Sequence, residues 1–420
     1  MVTAASPLDV RQPLDTLYLW WTGEPTQPAL IGELKLVRAS RGVSLRYAPS
    51  WLQTGFALSE DLPLIDSEFL PRAPEVAAGA VDDAKPDRWG ERVIRFLDKP
   101  PRLSLMEYLY FAGDERFGAL GVSTSQDQYQ PRRFGPLPGL ADVAQLHELV
   151  KKVAAGEPVP EAQRRLIVPS VTMGGARPKA LLNLQGAQWI LKFGDLGEPF
   201  DSPLVEHATM TLAARARIRV AVTQAIPLVR GHAIAIKRFD RLPLASGVRR
   251  LHALSANVAL HAAGEPLGYP ELAQLLRRRG VAKQSVGRAQ MAELFRRMVF
   301  NILIDNTDDH EKNHALLMNE REEYELSPAF DVLPTGQALG YQQMRVGADA
   351  ADATLANALS EHALFGLRRH EAESQVREVA AVVAGWKPHF AAHGVRPADI
   401  DSLAQQIDRP FLTDQRGNWG

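Results

Sequence analysis

Between residues 15 and 50 the chain alternates apolar and polar positions in three short runs, 17–21, 31–37 and 43–47, each bounded by turn-forming residues. A period of two built on aliphatic and aromatic side chains predicts strands, so a small antiparallel sheet opens the chain. The period then lengthens. Asp87 precedes a helical run over 88–97, and its carboxylate is placed to cap that helix. Residues 105–113 predict a second helix and 117–121 the entry to another strand. Residues 126–139 are rich in Pro, Gly and polar side chains and read as a linker, after which 141–155 returns to helical spacing. An apolar strand over 189–193 is followed by a helix over 205–216. From residue 242 onward helices dominate, at 272–279, 289–304, 354–363, 375–386 and 400–407, most with an apolar stripe turned to a common core. In 289–304 the apolar positions Met291, Leu294, Phe295, Met298, Val299, Ile302 and Leu303 recur at steps of three and one.

Past that helix lies the polar stretch Asn306-Thr307-Asp308-Asp309-His310-Glu311-Lys312-Asn313. Two short strands, 315–318 and 324–326, follow around a turn at 319–323, and Asp331 comes just after them. An acid, an amide and a second acid in this order match what phosphoryl transfer from a magnesium nucleotide requires. One carboxylate, Asp308, orients an alcohol and takes its proton, while Mg2+ prefers hard oxygen ligands such as Asn313 and Asp331. Helix, polar loop, hairpin and metal acid is the layout of a protein-kinase C-lobe.

Thr307 to Asn313 resembles the TD-x-H-x-KN catalytic loop of HipA-type serine/threonine kinases, the toxin halves of toxin–antitoxin pairs. Gly174-Gly175-Ala176-Arg177-Pro178-Lys179 resembles the glycine-containing phosphate loop of that family, and Ile236-Lys237-Arg238-Phe239-Asp240-Arg241 its ERFDR segment at the lobe hinge. Near the N-terminus, 58–64 resembles the LS-x-SLPL element and 86–92 the PD-x-WG turn. The likeness runs from about residue 45 to about residue 345. It implies an α+β, two-lobed protein-kinase-like fold with a small N-terminal antiparallel-sheet subdomain and a mainly helical C-lobe. The expected divisions are 1–125 for the N-terminal subdomain, 126–160 for linker and helix, 161–241 for the kinase N-lobe and 242–420 for the C-lobe.

Carried over by position, the resemblance implies Asp308 as catalytic base and Asn313 and Asp331 as magnesium ligands. Lys192 would hold the nucleotide phosphates, with Glu206 as the helix carboxylate that orients it. Gly174, Gly175, Ala176 and Lys179 belong to the phosphate loop, backbone groups of Lys237 and Phe239 would face the adenine edge, and His310 and Phe330 complete the nucleotide contacts. ATP and Mg2+ are the implied cofactors. Thr172, with Ser170 as second choice, matches the loop serine whose autophosphorylation switches such kinases off; a phosphate there would repel those of the nucleotide. Implied partners are a HipB-like helix-turn-helix antitoxin, which would carry any DNA contact, and a protein substrate of the translation machinery such as an aminoacyl-tRNA synthetase. Lys237 stands where the family usually has Glu, Arg177-Pro178 replaces Gln-Glu, and Val332-Leu333 follow the metal acid in place of Phe-Gly.

Plainer readings apply to several of these residues. Gly174-Gly175 alone is a turn, and it fits neither a Walker loop nor a dinucleotide fingerprint. His310 and His314 stand four apart as zinc ligands on a helix would, but a loop fits Lys312 and Asn313 better. Asp309 reads as a solvated loop acid or a helix cap, Asp240 and Arg241 as a structural ion pair, and Arg277-Arg278-Arg279 as a solvated helix end. A nucleotide-binding scaffold acting as co-repressor, or a kinase-fold enzyme working on a lipid or small molecule, are the alternative functions.

Composition narrows the partners. With 420 residues, 45% hydrophobic and 23% charged, the chain has material for more than one core. A net charge of -1 gives the whole surface no strong pull toward DNA or membrane, and the absence of cysteine removes disulfides, thiolate catalysis and Cys-zinc sites. No run has signal-peptide character or approaches the length needed to span a bilayer, so residence in the cytoplasm is expected.

Overall fold

The computed structural model describes residues 12–132, 135–164, 166–169, 177–195, 197–244, 247–335 and 337–419. The chain divides into two compact units, one formed by 1–190 with 240–254 and the other by 191–239 with 255–420.

The first unit begins with β1 (Thr16–Trp21), β2 (Ala29–Val37) and β3 (Gly42–Tyr47), with the short helix α1 (Pro49–Thr54) next in the chain. With β4 (Glu68–Phe69) and β5 (Leu120–Ser123) these strands form a five-stranded sheet in the order β4-β3-β2-β1-β5. All pairings are antiparallel, and the β1–β2 register shifts between Leu19 and Trp20. Leu17, Leu19, Leu34 and Leu45 are fully buried, the expected result of alternation in a sheet with one covered face. Gly32 is required by close approach: a Cβ there would lie 2.2 Å from the Arg46 carbonyl oxygen. Helix α2 (Arg88–Val93) starts where its cap was expected, with Asp87 accepting from Gly90 N at 2.8 Å, a bond that contributes about 1 kcal/mol. It continues as one wide turn, Ile94–Asp98, that ends at Lys99 in the left-handed region. Helix α3 (Leu105–Phe111) touches β1, β2, β3 and β5 and buries Leu105, Met106 and Leu109.

The described residues between 126 and 139 carry no strand or helix, and α4 (Val143–Ala155) and the short α5 (Glu161–Arg164) follow. The hairpin of β6 (Lys179–Leu184) and β7 (Ala187–Phe193) turns at Gln185 and Gly186, both at positive φ. The border between the units falls inside β7. Strands β8 (Thr223–Pro227) and β9 (His232–Lys237), described below, belong to the second unit, whereas β10 (Arg241–Leu244) and β11 (Gly247–Arg250) return to the first. There Asp240 and Arg241 form the expected buried pair at 2.7 Å. Both are tied to the loop entering β5, where Asp240 Oδ2 accepts from Gly118 N at 2.9 Å and Arg241 donates to the Arg116 and Gly118 carbonyls. Next comes β12 (Ala253–Ser255), across which the chain passes back to the second unit.

In the second unit β8 and β9 form an antiparallel hairpin with Thr223 opposite Ile236. Helix α6 (Ser202–Arg215) precedes them and contacts both. Helices α7 (Ala256–Ala262) and α8 (Tyr269–Arg279) lead to α9 (Gln284–Leu303), the longest helix among the described residues. The whole apolar set of α9 from Met291 to Leu303 is buried, and α8 packs along it. Arg277, Arg278 and Arg279 are exposed at the end of α8, as the sequence predicts. Strands β13 (Ala315–Met318) and β14 (Tyr324–Leu326) form the expected hairpin. Helices α10 (Leu355–Ser360), α11 (Arg369–Ala384), α12 (Trp386–Ala392), α13 (Pro397–Ile407) and α14 (Pro410–Gly417) complete the unit. The helix expected over 375–386 ends two residues early and begins six residues sooner. Pro388 lacks the N–H that would bond the Ala384 carbonyl, so Trp386 opens a new helix after Gly385. The helix expected to run to 363 also stops at Ser360, and a separate turn, His362–Phe365, follows. Among the described residues no helix is long and apolar enough to cross a membrane.

The three Trp residues at the start of the chain are packing residues. Trp21, Trp51, Phe56 and His252 form one ring cluster, with Trp21 and Phe56 edge to face at 5.1 Å, and Trp20 donates to the Ser125 carbonyl. His252 is 1% exposed, and its Nε2 donates to Leu58 O at 2.8 Å. Burial strips the imidazolium of hydration and pulls the group down from 6.5 to about 4. The unfolded chain takes up this proton below the ordinary value, whereas the folded chain waits for about pH 4. Stability is therefore complete above the unfolded value and drains away as pH falls between the two, by about 3 kcal/mol in all. Denaturant unfolding at pH 7 and pH 4.5 should show His252→Gln losing roughly 2–3 kcal/mol less than wild type over that interval. An equal loss in both proteins would contradict this assignment.

Candidate active site

Helix α9 stops at Leu303, and the chain leaves it through Asp305, a non-glycine residue held at φ 61. Such a conformation costs about 1–2 kcal/mol and persists because its surroundings fix it. The Asp305 carboxylate is paired with Arg409 at 2.7 Å, while its carbonyl accepts from both the amide and the hydroxyl of Thr335. The Thr335 hydroxyl also meets that of Thr307 at 2.6 Å. The segment after Asp331 is thus stitched to the base of the polar loop.

The loop itself is ordered from beneath. Asp309 was expected to be a solvated acid or a cap, and the structure overturns this: it is 2% exposed. Its two carboxylate oxygens accept from Asn301 Nδ2 at 2.8 Å and face His314 Nε2 at 3.0 Å. Asn301 reaches in turn to Tyr269 and Asn306, and the His314 ring lies against that of Tyr269. With Asp309 turned inward, its neighbour Asp308 stands exposed at the loop surface. The Asp308 carbonyl accepts from His310 N at 2.9 Å and from Asn313 Nδ2 at 3.2 Å. Asn313 is 5% exposed, and its amide oxygen has no hydrogen-bond partner among the described residues. A buried, unsatisfied amide oxygen costs about 1–3 kcal/mol, and an oxygen of this kind could serve as a ligand to a cation. Among the described residues no group of three or more His, Cys, Asp or Glu side chains is placed to hold a metal, and His314 is engaged with Asp309.

Asp331 is positioned by the strand-like segment before it. Ala329 exchanges main-chain hydrogen bonds with Arg219 and Ala221, and Arg297 of α9 donates to Ser327 O at 2.6 Å. Asp331 is also at positive φ, 58°. Its Oδ1 lies 2.5 Å from Lys192 Nζ, and Glu206 Oε1 lies 3.0 Å from the same ammonium. The strand end, helix α6 and the acid after β14 therefore meet at one cation. Lys192 is 1% exposed and Glu206 is fully buried. Burial alone would drive the ammonium toward neutrality, but the charges and hydrogen bonds of Asp331 and Glu206 hold it above the ordinary lysine value.

At the hinge, the amide of Lys237 donates to Val222 O at 2.8 Å. That N–H is spent within the sheet. The rings of Phe239 and Phe330 sit 5.5 Å apart, with Phe330 buried. Lys179 is 1% exposed and bound to Asp87 at 2.5 Å within the first unit. Ser170, Thr172, Gly174, Gly175 and Ala176 lie outside the described residues.

Residues 171–386 match the HipA-like C-terminal domain and residues 26–123 the HipA N-terminal domain. A Sinorhizobium fredii protein provisionally named kinase Y4dM is 32% identical over 162 residues, which are 36% of this chain and 38% of that protein. The chain thus aligns with under half the length of that relative. Among solved structures, HipA from the Shewanella oneidensis MR-1 complex of HipA, HipB and operator DNA superposes with a TM-score of 0.62. The superposition covers 96% of this chain and 99% of that one at 16% identity, a likeness of fold. A partial resemblance, TM-score 0.35 at 12% identity over 58% of this chain and 96% of the other, links it to the Helicobacter pylori proinflammatory kinase CtkA. The fold is the expected mixture of N-terminal antiparallel sheet and mainly helical C-terminal region. With the C-terminal family domain alone spanning more than half of its length and the N-terminal one preceding it in order, the chain belongs to the HipA family.

Proposed function

We propose that this HipA-family chain is an ATP-dependent kinase that phosphorylates a serine or threonine hydroxyl of a protein, with Mg2+ as the companion ion. The observation that carries the reading is the meeting of Lys192, Glu206 and Asp331 in the same unit as the buried Asn313 amide oxygen. Asn313 and Asp331 offer one amide and one carboxylate oxygen, hard donors suited to Mg2+. When bound, Mg2+ would neutralise charge on the nucleotide phosphates. Lys192 supplies a fixed cation to the same phosphates, released from Asp331 and kept protonated by Glu206. Asp308, at the exposed face of a loop anchored by Asp309, would accept the proton of an incoming alcohol. In the transfer, the alcohol oxygen bonds to the γ-phosphorus, the bond from that phosphorus to the bridging oxygen breaks, the proton passes to Asp308, and ADP departs.

Family membership supports a toxin role, and the Shewanella protein of like fold was solved with HipB and operator DNA. We extend it to this chain as a kinase restrained by a HipB-like helix-turn-helix protein, contacting DNA through that partner and acting in the cytoplasm on a component of translation. Autophosphorylation at Thr172 or Ser170 belongs to the same proposal.

Two sets of variants test the assignment. Asp308→Gln should lower kcat by about 100-fold or more while changing the Kd for MgATP by less than about threefold, because it removes the base and leaves the ion site intact. Asp331→Asn should weaken MgATP by about tenfold or more. Phosphotransfer by Asp308→Gln at the wild-type rate would refute the mechanism. Separately, Glu206→Gln removes one of two carboxylates that keep Lys192 charged and aligned, so KM for ATP should rise roughly tenfold in initial-rate assays. An unchanged KM would remove Glu206 from the site.

A further inference from the structure

Helices α6 and α12, both in the second unit, meet through side chains that no step above uses. Thr211 of α6 stands between His389 of α12 and His393, the residue that ends α12. Its hydroxyl lies 2.9 Å from His389 Nε2 and 3.2 Å from His393 Nε2, and the two rings are 4.2 Å apart. Carbonyl partners fix where the protons sit. His389 Nε2 faces the Ala208 carbonyl at 3.2 Å and so carries a hydrogen, and His393 Nδ1 donates to the His389 carbonyl at 2.8 Å. The other nitrogen of His389, Nδ1, faces a donor, Nη1 of the exposed Arg215 at 3.4 Å, and must offer a lone pair. The chain of bonds from Arg215 through His389 and Thr211 to His393 therefore closes only while His389 is neutral. A proton on Nδ1 ends the bond from Arg215 and sets two cations side by side.

His389 is 8% exposed. Burial first, then the His393 and Arg215 charges, hold it down from 6.5 to about 4. On α6 a third imidazole, His207, has its ring 5.7 Å from that of His393, and its Nδ1 meets Thr223 Oγ1 of β8 at 2.8 Å. On α13, which also packs against α12, Asp399 is bound to Arg396 at 2.8 Å and Asp401 is exposed, while Asp408 beyond it is shared by Lys387 and Arg416. The match to the HipA-like C-terminal domain ends at residue 386, so the histidine half of this contact lies outside the matched region.

We propose that Thr211, His389 and His393 form a proton-operated latch that holds α12 on α6 at neutral pH and releases it on mild acidification. Neutral imidazole is the latched form, so the contact is complete above the ordinary histidine value and is lost as pH falls from there toward 4. Release frees one side of the helix that carries Glu206, the partner of Lys192.

Hydrogen exchange on the full chain, expressed as protection factors so that the intrinsic rate at each pH cancels, reads the latch directly. Between about pH 7.5 and about pH 5.5 the protection of the α12 amides should fall about fivefold or more in wild type. His389→Gln keeps an amide donor for Thr211, His389→Phe keeps a ring, and neither titrates; in both, the same change of pH should alter α12 protection by less than about twofold. Unchanged wild-type protection in α12 overturns the inference, as does either variant losing protection as steeply as wild type. No nucleotide enters these measurements, so the kinase reading stands or falls apart from them.

Discussion

A lysine ammonium buried between two carboxylates is the constraint on which the second unit depends. A charge taken out of water is stable only when partners replace its hydration, and a buried pair that loses one member is destabilised by about 3–5 kcal/mol. Lys192 meets this demand with Glu206 from α6 and Asp331 from the segment after β14. The strand end and the helix that follows it must therefore be in register with a segment 139 residues further on before the cation can be buried. The same contact joins a buried cation to an acid that is itself mostly buried; under the proposed function a magnesium triphosphate would divide that pair between its phosphates and its ion.

Around this centre the loop after α9 is held by buried polar groups. Asp309 locks onto Asn301 and His314, and Thr335 ties the segment after Asp331 to Thr307 and Asp305. Two residues at positive φ, Asp305 and Asp331, bracket the machinery. Both conformations are unfavourable in isolation, and both are fixed by hydrogen bonds or ion pairs that over-determine the backbone there. A loop that presents Asp308 to solvent and Asn313 inward needs such rigidity, because adjacent acids in a relaxed loop would both turn to water.

Much of this was legible before the structure because it rests on local rules. The hairpin of β13 and β14, the apolar face of α9 and the Asp87 cap each follow from spacing within a dozen residues, and the lysine–glutamate pairing follows from a strand running directly into a helix. The misreadings have equally physical causes. Asp309 looked solvated because its neighbours in sequence are polar; its partners are a helix residue eight positions back and a histidine five ahead, which periodicity cannot pair. Helix α12 is hidden in the sequence because Trp386 continues the apolar stripe of the preceding helix, whereas Pro388 interrupts its hydrogen bonding. Helices α7 and α14 are short, and burial against neighbours rather than a strong stripe decides them. The hydrogen bond from the Trp89 indole to the Lys179 carbonyl spans ninety residues, beyond any local pattern.

The central claim is that Lys192, Asp331 and Asn313 together form a site for a magnesium nucleotide. It is tested most directly by calorimetric titration of wild-type protein with a non-hydrolysable ATP analogue, with Mg2+ and with EDTA in its place. The account predicts one site per chain with affinity at least about tenfold higher when the ion is present. Equal affinity with and without Mg2+, or no heat in either titration, would contradict it.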